Sequence, residues 1–377
     1  MKFLFNATTL RKGGPVQRAV SFLREVRKND HGHQWSFAIS DLVADELRRF
    51  EPVDWGQLQE FSDSPARNKP ARKQVEELEL NVSPDAVFTI AGPAYVRFRS
   101  PHLLGCADGW ITHSTWQAYR TLAFPREWLD IGLTTLYKFL WFRRADHWVV
   151  QTETAKKGLH RRLRIPLDEV DVLPNTCAEV YRNAARDGMV DQLSEPVRIL
   201  CFSARYKHKR LDLLPAIAAA LVVQEPTLDF QFVMTLPEEC DVLNQVMQDA
   251  NRLGVQNRIH NNGPVDMADG PSLYESCDLC FLPTVLETFS ATYPEAMAMG
   301  LPIVTSDLNF ARSVCQDAAI YFRPGDGRDA AQAIVRVIRD PTLRNELRRK
   351  GSRVLAHLPT PEVQCSRYVE ILERMSR

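Results

Sequence analysis

Short apolar runs alternate along this chain with stretches whose apolar residues recur at helical spacing. In the first half the runs Lys2–Ala7, Gln34–Ser40, Ala86–Ala91, His102–Cys106, His147–Thr152 and Asp171–Leu173 predict strands, because a strand buried on both faces reads as a continuous apolar run. Between the first two, Val16, Ala19, Val20, Leu23 and Val26 share one stripe and predict a helix over Val16–Lys28. The second half repeats the scheme. Its strands are Val197–Phe202, Asp229–Thr235, Arg258–Asn261, Asp278–Thr284, Pro302–Asp307 and Ala319–Phe322, with helices such as Leu211–Ala220 and Cys240–Leu253 between them. Strand and helix alternating through both halves predicts the α/β class, as two doubly wound, parallel-sheet, Rossmann-like domains.

Length and polarity divide the chain. At 377 residues it exceeds the usual size of a single core, and the polar stretch Arg182–Pro196 is the best boundary. The expected organisation is an N-terminal domain over 1–181, a linker over 182–196, a C-terminal domain over 197–360, and a last helix over 361–377 returning to the N-terminal domain. Residues 326–357 read as helices with one solvated face, and Arg67–Glu79 as an exposed loop and helix start without chemistry.

Composition removes several function classes. Charged residues are 25% and apolar ones 45%, as in soluble globular proteins, and 47 Lys plus Arg balance 47 Asp plus Glu. That balance argues against a nucleic-acid partner, which calls for a basic excess. No apolar run reaches the ~18 to 20 residues that span a bilayer, and the start, Met1–Asn6, is too short for a secretion signal. Eight scattered cysteines, with Cys277-x-x-Cys280 as a lone pair, fit reduced thiols in a cytoplasmic protein better than zinc or redox chemistry.

Chemistry concentrates in residues 284–295. Glu287 and Glu295 bracket seven residues that leave an apolar strand and enter a helix, with Pro294 near its start and Gly300 as its stop. Another strand follows at once. Parallel strands joined by one helix end on the same side, so Glu287, Glu295 and Asp307 belong to one rim, where open parallel sheets bind ligands. An acidic residue in a first helical turn also suits the helix dipole, which leaves a purely structural role for Glu295 equally open. The same rim receives Arg205, Lys207 and Lys209 after the strand Val197–Phe202. In the first half, Gly13-Gly14 follows the first strand and lets the backbone turn tightly and approach a ligand. It is not the Gly-x-Gly-x-x-Gly fingerprint of nicotinamide cofactors.

The run Glu287-Thr-Phe289 … Glu295-Ala296-Met-Ala298-Met-Gly300-Leu-Pro302-Ile resembles the Glu-x7-Glu segment of retaining glycosyltransferases of family four, the glycosyl transferases group 1. Arg205 and Lys209 resemble that family's basic segment after the first strand of the second domain, with spacing one residue shorter and Ala204 for Gly, so Lys207 competes with Lys209. Further matches are Gly32-His33 with its neighbour His31 as a structural turn, Ala145-Asp146 through Glu153, Val172 to Asn175, and Gly263-Pro-Val265. The resemblance implies a glycosyltransferase B fold with the active site in the cleft between two domains. It implies that Arg205 and Lys209 neutralise a departing diphosphate, that Glu295 accepts from ribose hydroxyls, and that Glu287 contacts the transferred sugar. Amides of Phe289, Ser290 and Ala291 would hold phosphate oxygens, Gly13 and Gly14 would face the phosphate and sugar, and Gly263 and Val265 would face the base. The family's histidine after the strand His102–Cys106 has no direct match; Asp108 and His113 share that candidacy.

The implied activity is retaining transfer of a hexosyl unit from a nucleoside-diphosphate sugar to a glycan or lipid-linked acceptor, in surface polysaccharide biosynthesis. Front-face attack, with the leaving phosphate taking the acceptor proton, is the family's usual account of retention. No metal and no cofactor beyond the donor substrate is expected. A nucleotide-sugar epimerase of the same fold and a non-catalytic nucleotide-sugar-binding subunit are the rival readings. The loops Ala91–Pro101 and Gly109–Phe124 are candidates for the acceptor pocket. The aromatic-rich segment Leu133–Trp148, with Lys138, Arg143 and Arg144, reads first as core packing and second as a basic amphipathic surface in peripheral contact with the inner membrane face.

Overall fold

The structure, a computed structural model, describes residues 1–11, 13–29, 32–50, 55–185 and 192–377. It forms two compact units: Met1–His113 with Leu129–Asn175 and Pro359–Arg377, and Ser114–Trp128 with Thr176–Leu358. Of Arg182–Pro196, expected as the linker, residues 182–185 and 192–196 lie inside the second unit; residues 186–191 fall outside the described ones, as does His31.

The first unit holds seven parallel strands: β1 (Lys2–Ala7), β2 (Gln34–Ser40), β3 (Leu58–Phe61), β4 (Ala86–Thr89), β5 (His102–Gly105), β6 (His147–Val150) and β7 (Val170–Val172). Their order is β3-β2-β1-β4-β5-β6-β7, so the winding reverses between β1 and β4. β3 escapes a pattern reading because Gln59 and Glu60 are exposed on this edge strand. Phe3, Phe5, Phe22 and Phe88 fill the core. The C-terminal helix Pro361–Met375 closes over them, with the Tyr368 ring 4.7 Å from Phe88. Gln364 Nε2 donates to the Pro174 carbonyl at 2.6 Å.

A buried polar chain crosses this sheet. Asn6 Nδ2 donates to Thr89 Oγ1 at 3.0 Å, and Thr89 Oγ1 lies 2.8 Å from His102 Nε2. Burial pushes the His102 imidazole down to about 3, so it stays neutral and can share a proton with Thr89.

The second unit holds six parallel strands: β8 (Val197–Cys201), β9 (Phe230–Met234), β10 (Ile259–Asn261), β11 (Leu279–Leu282), β12 (Ile303–Ser306) and β13 (Ala319–Phe322). The order is β10-β9-β8-β11-β12-β13, reversing between β8 and β11. Phe230, Phe232, Phe281 and Phe322 anchor its core.

Three local expectations change. Leu211–Leu213 is a 3₁₀ turn, and the helix runs over Leu214–Gln224 with Pro215 in its first turn. Arg67–Glu79 is mostly helix, Lys69–Val82, because Asn68 caps it by accepting from the Ala71 amide at 3.0 Å. In the aromatic-rich segment, the helix Arg126–Phe142 buries fully only Thr135 and Phe142, so core packing applies to Phe142, Trp148 and the partly buried Phe139 and not to the leucines.

Candidate active site

Arg205 and Lys209 follow β8, and the loop from Glu287 to Glu295 follows β11, the two strands at the reversal point of the second sheet; Gly263 and Val265 follow β10 at its edge. β8 and β11 lie side by side, with Ile199 opposite Leu279 and Leu200 opposite Cys280. The loops that leave them are tied together by backbone: the Val285 amide donates to the His208 carbonyl at 2.8 Å, and Thr284 Oγ1 to the same oxygen at 3.3 Å. Thr292 Oγ1 donates to the Phe202 carbonyl at 3.3 Å, fixing the start of the helix Thr292–Ala298 against the β8 loop.

These ties bring Lys209 to Glu287. Its ammonium donates to Glu287 Oε1, and each side chain is 16% exposed. Lys207 goes elsewhere. It pairs with Glu127 at 2.6 and 2.8 Å and holds that carboxyl below its ordinary range. A 3₁₀ turn over Lys207–Lys209, with Arg210 at φ 56°, sets the two lysines apart. Arg205, one turn earlier, is exposed and has no ion pair among the described residues.

Glu295 sits inside a tyrosine cage. Tyr274 Oη donates to Glu295 Oε2 at 2.8 Å. Tyr274 packs edge-on against Tyr181 at 5.4 Å and Phe202 at 5.7 Å. Burial pushes the Glu295 carboxyl up to about 7, with the Tyr274 hydrogen bond pulling the other way. Gly270 makes room for the cage: a Cβ there would lie 2.1 Å from Tyr181 Oη. Oε1 of Glu295 accepts no hydrogen bond among the described residues.

Donors face this loop without acceptors. Among the described residues the amides of Phe289, Ser290 and Ala291 donate to nothing, although Phe289 and Ser290 are buried. They precede the helix, where unsatisfied N–H groups suit an anion. Ser203 Oγ, in the β8 loop, is also buried without a partner. Gly263 follows β10 at φ 77°, a left-handed turn that Gly adopts without cost, and Val265 packs against the apolar cluster that holds Tyr181, Tyr274 and Phe289. Asp307, after β12, is taken up by Arg312 at 2.8 Å, which holds its carboxyl low.

The remaining candidates belong to the first unit. Gly13, at φ 71°, caps the helix Gly14–Lys28 beside the β1/β4 reversal; Lys12 lies outside the described residues. Asp108 accepts from the Trp110 amide at 3.0 Å and from Lys138 at 2.6 Å, so its carboxylate is already bonded. His113 Nδ1 lies 2.7 Å from Thr112 Oγ1. His33 is structural, with Nε2 2.9 Å from Glu373 Oε1 and its ring against Phe3.

Sequence reasoning missed Tyr274, Glu127 and Ser203. Tyr274 lies in a short helix, Gly270–Glu275, with no motif of its own. Only its contact with Glu295 identifies it.

Residues 197–340 match the sequence model of glycosyl transferases group 1. Over 117 residues, 30% of the chain, it is 29% identical to mannosylfructose-phosphate synthase of Agrobacterium fabrum, of which this covers 26%. Over 224 residues, 56% of the chain, it is 26% identical to D-inositol 3-phosphate glycosyltransferase of Nocardia farcinica, of which this covers 49%. The chain thus spans half or less of the length of these curated relatives. The fold is that of Anabaena HepE, solved in complex with UDP-glucose, at TM-score 0.72 and 16% identity over 99% of this chain and 100% of that one. Residues 197–340 carry the likeness to the glycosyl transferases group 1, and the solved structures share the fold.

Proposed function

We propose that the protein is a glycosyltransferase that moves a hexosyl unit, with retention, from a nucleoside-diphosphate sugar to a glycan or lipid-linked acceptor in polysaccharide biosynthesis. The observation that carries this reading is the meeting of Lys209 and Glu287 at the β8/β11 reversal, beside the unpaired amides of Phe289, Ser290 and Ala291. A departing nucleoside diphosphate gains negative charge as its bond to the sugar breaks, and fixed cations and amides stabilise that change most. Lys209 and Arg205 supply the cations, in the place a divalent metal takes elsewhere. Glu287 orients the sugar hydroxyls, and Glu295 Oε1 accepts from the ribose diol.

In this reaction the acceptor oxygen bonds to the anomeric carbon on the face from which the diphosphate leaves. The anomeric carbon–oxygen bond breaks, its electron pair goes to the phosphate oxygen, and that oxygen takes the acceptor's proton. Asp108 and His113 would stand on the sugar side, and Gly13 and Gly14 beside the phosphates. Eight buried, unbridged cysteines support a reducing, cytoplasmic setting.

The complex of HepE with UDP-glucose makes uridine donors the first to test. The experiment incubates the pure protein with uridine, guanosine and adenosine diphosphate sugars and a panel of acceptors. Transfer releases nucleoside diphosphate and yields an α-linked product from an α-linked donor. An epimerised donor, or melting-temperature shifts without turnover on every acceptor, would replace this reading with one of its rivals.

A further inference from the structure

The helix Arg126–Phe142 turns a row of leucines to solvent: Leu129 is 63% exposed, Leu133 67%, Leu136 58% and Leu140 59%. Steps of four, three and four residues place all four on one face. The other face holds the helix to its unit. Thr135 and Phe142 are buried there, Lys138 reaches Asp108 at 2.6 Å, and Tyr137 stacks on Tyr95 at 5.6 Å. Scattered exposed apolar residues are ordinary, but a contiguous leucine row marks a surface that something covers.

We propose that this row lies in the interfacial region of a bilayer that carries anionic lipid. Two features favour lipid over a second copy of the chain. The first is charge. Arg143 and Arg144 continue the exposed face at the helix end, and both are exposed. The Arg144 guanidinium lies 4.3 Å from the Trp141 ring, an aromatic and cation pairing suited to the headgroup level. Arg143 and Arg164 also open onto one hollow of about 440 Å³, shared with Asp146, Ile165, Pro166 and Glu169. Asp130 is the one exposed acid of the helix itself. The second feature is area. Four leucines exposed to this degree offer roughly 450 Å² per chain, about half of the ~800 Å² per partner of a stable interface. Insertion into lipid needs no shape-complementary partner.

The contact is interfacial, since no helix among the described residues is long and apolar enough to cross a membrane. The inference does not rest on the proposed transfer reaction, and its test reads lipid binding alone. The purified chain is sedimented with vesicles of phosphatidylcholine, with and without phosphatidylglycerol. The expected result is binding that rises with phosphatidylglycerol content and weakens at high salt. Leu133→Glu with Leu136→Glu should lower partitioning about tenfold or more. Arg143→Gln with Arg144→Gln should remove the preference for phosphatidylglycerol while unaltered melting curves confirm the fold. No sedimentation of the wild type with either vesicle overturns the proposal. So does a dimer in light scattering that Leu133→Glu dissociates in the absence of lipid binding.

Discussion

Lys209 donates its hydrogen bond to Glu287 across two loops that follow different strands, β8 and β11, and the partners stand 78 residues apart in sequence. The sheet makes the pair, because those strands are neighbours only where the winding reverses. An ammonium has three donors, so the bond to Glu287 uses one of those that Lys209 carries.

Breaking the pair from one side should cost stability. Lys209→Met or Glu287→Ala removes one half of an ion pair whose side chains are each 16% exposed, for about 1–3 kcal/mol each in urea unfolding. The double variant should cost less than the sum. Strict additivity would show that the two charges do not depend on each other.

Glu295 gives the protein a pH-dependent stability of definite sign. Its folded pKa, about 7, lies above the ordinary 4.5, so the unfolded chain loses the proton first as pH rises. Stability contributed by the protonated acid is complete below about 4.5 and falls until about 7, by roughly 3 kcal/mol over the window. Unfolding followed across that range should show this decline in the wild type and lose it in Glu295→Gln. Tyr274→Phe, which removes the one downward pull, should move the upper end of the window higher.

Donor binding should release protons near neutral pH. If ribose hydroxyls bond to the ionised Glu295, a donor binds the deprotonated form better and drives part of a proton off at pH about 7. Calorimetry in buffers of different ionisation enthalpy measures this directly. An identical heat in all buffers would exclude Glu295 from the contact.

Arg205 should matter to the chemical step more than to nucleoside binding. It is exposed and unpaired among the described residues, so Arg205→Ala leaves the fold and its melting temperature unchanged. Turnover should fall about 100-fold, the scale for losing one group that meets developing charge, while affinity for the bare nucleoside stays the same. Equal small effects on both would remove the leaving-group role.

The tyrosine cage has its own test at Gly270. Ala there would put a methyl 2.1 Å from Tyr181 Oη and 2.8 Å from its Cζ, so Gly270→Ala should destabilise by about 1–3 kcal/mol. Adding Tyr181→Phe should restore part of the loss. An unchanged melting temperature for Gly270→Ala would mean that the cage yields freely, and with it the surroundings of Glu295.

Much of the candidate site was legible because its residues sit beside strand ends, and strand ends are written in local pattern. Glu287, Phe289, Ser290 and Ala291 follow the apolar run of β11, and Arg205 to Lys209 follow that of β8. Tyr274 was not legible, since an apolar tyrosine in a short helix carries no signal until Glu295 is placed against it. Nor was the choice between Lys207 and Lys209: residues two apart in an irregular turn can point anywhere, and Arg210 in the left-handed region decides it.

What the chain's pattern determined alone is the alternation of buried strands with helices, hence two parallel α/β sheets, and the motif that sits between β11 and its helix. Those features depend on spacing within a few residues, which solvent and backbone geometry translate directly into local structure. Tertiary structure alone decided strand order, and with it that Lys209 meets Glu287, that Tyr274 buries Glu295, and that Leu129, Leu133, Leu136 and Leu140 face outward. These outcomes turn on contacts between distant segments. A leucine row at helical spacing reads the same whether a core covers it or not.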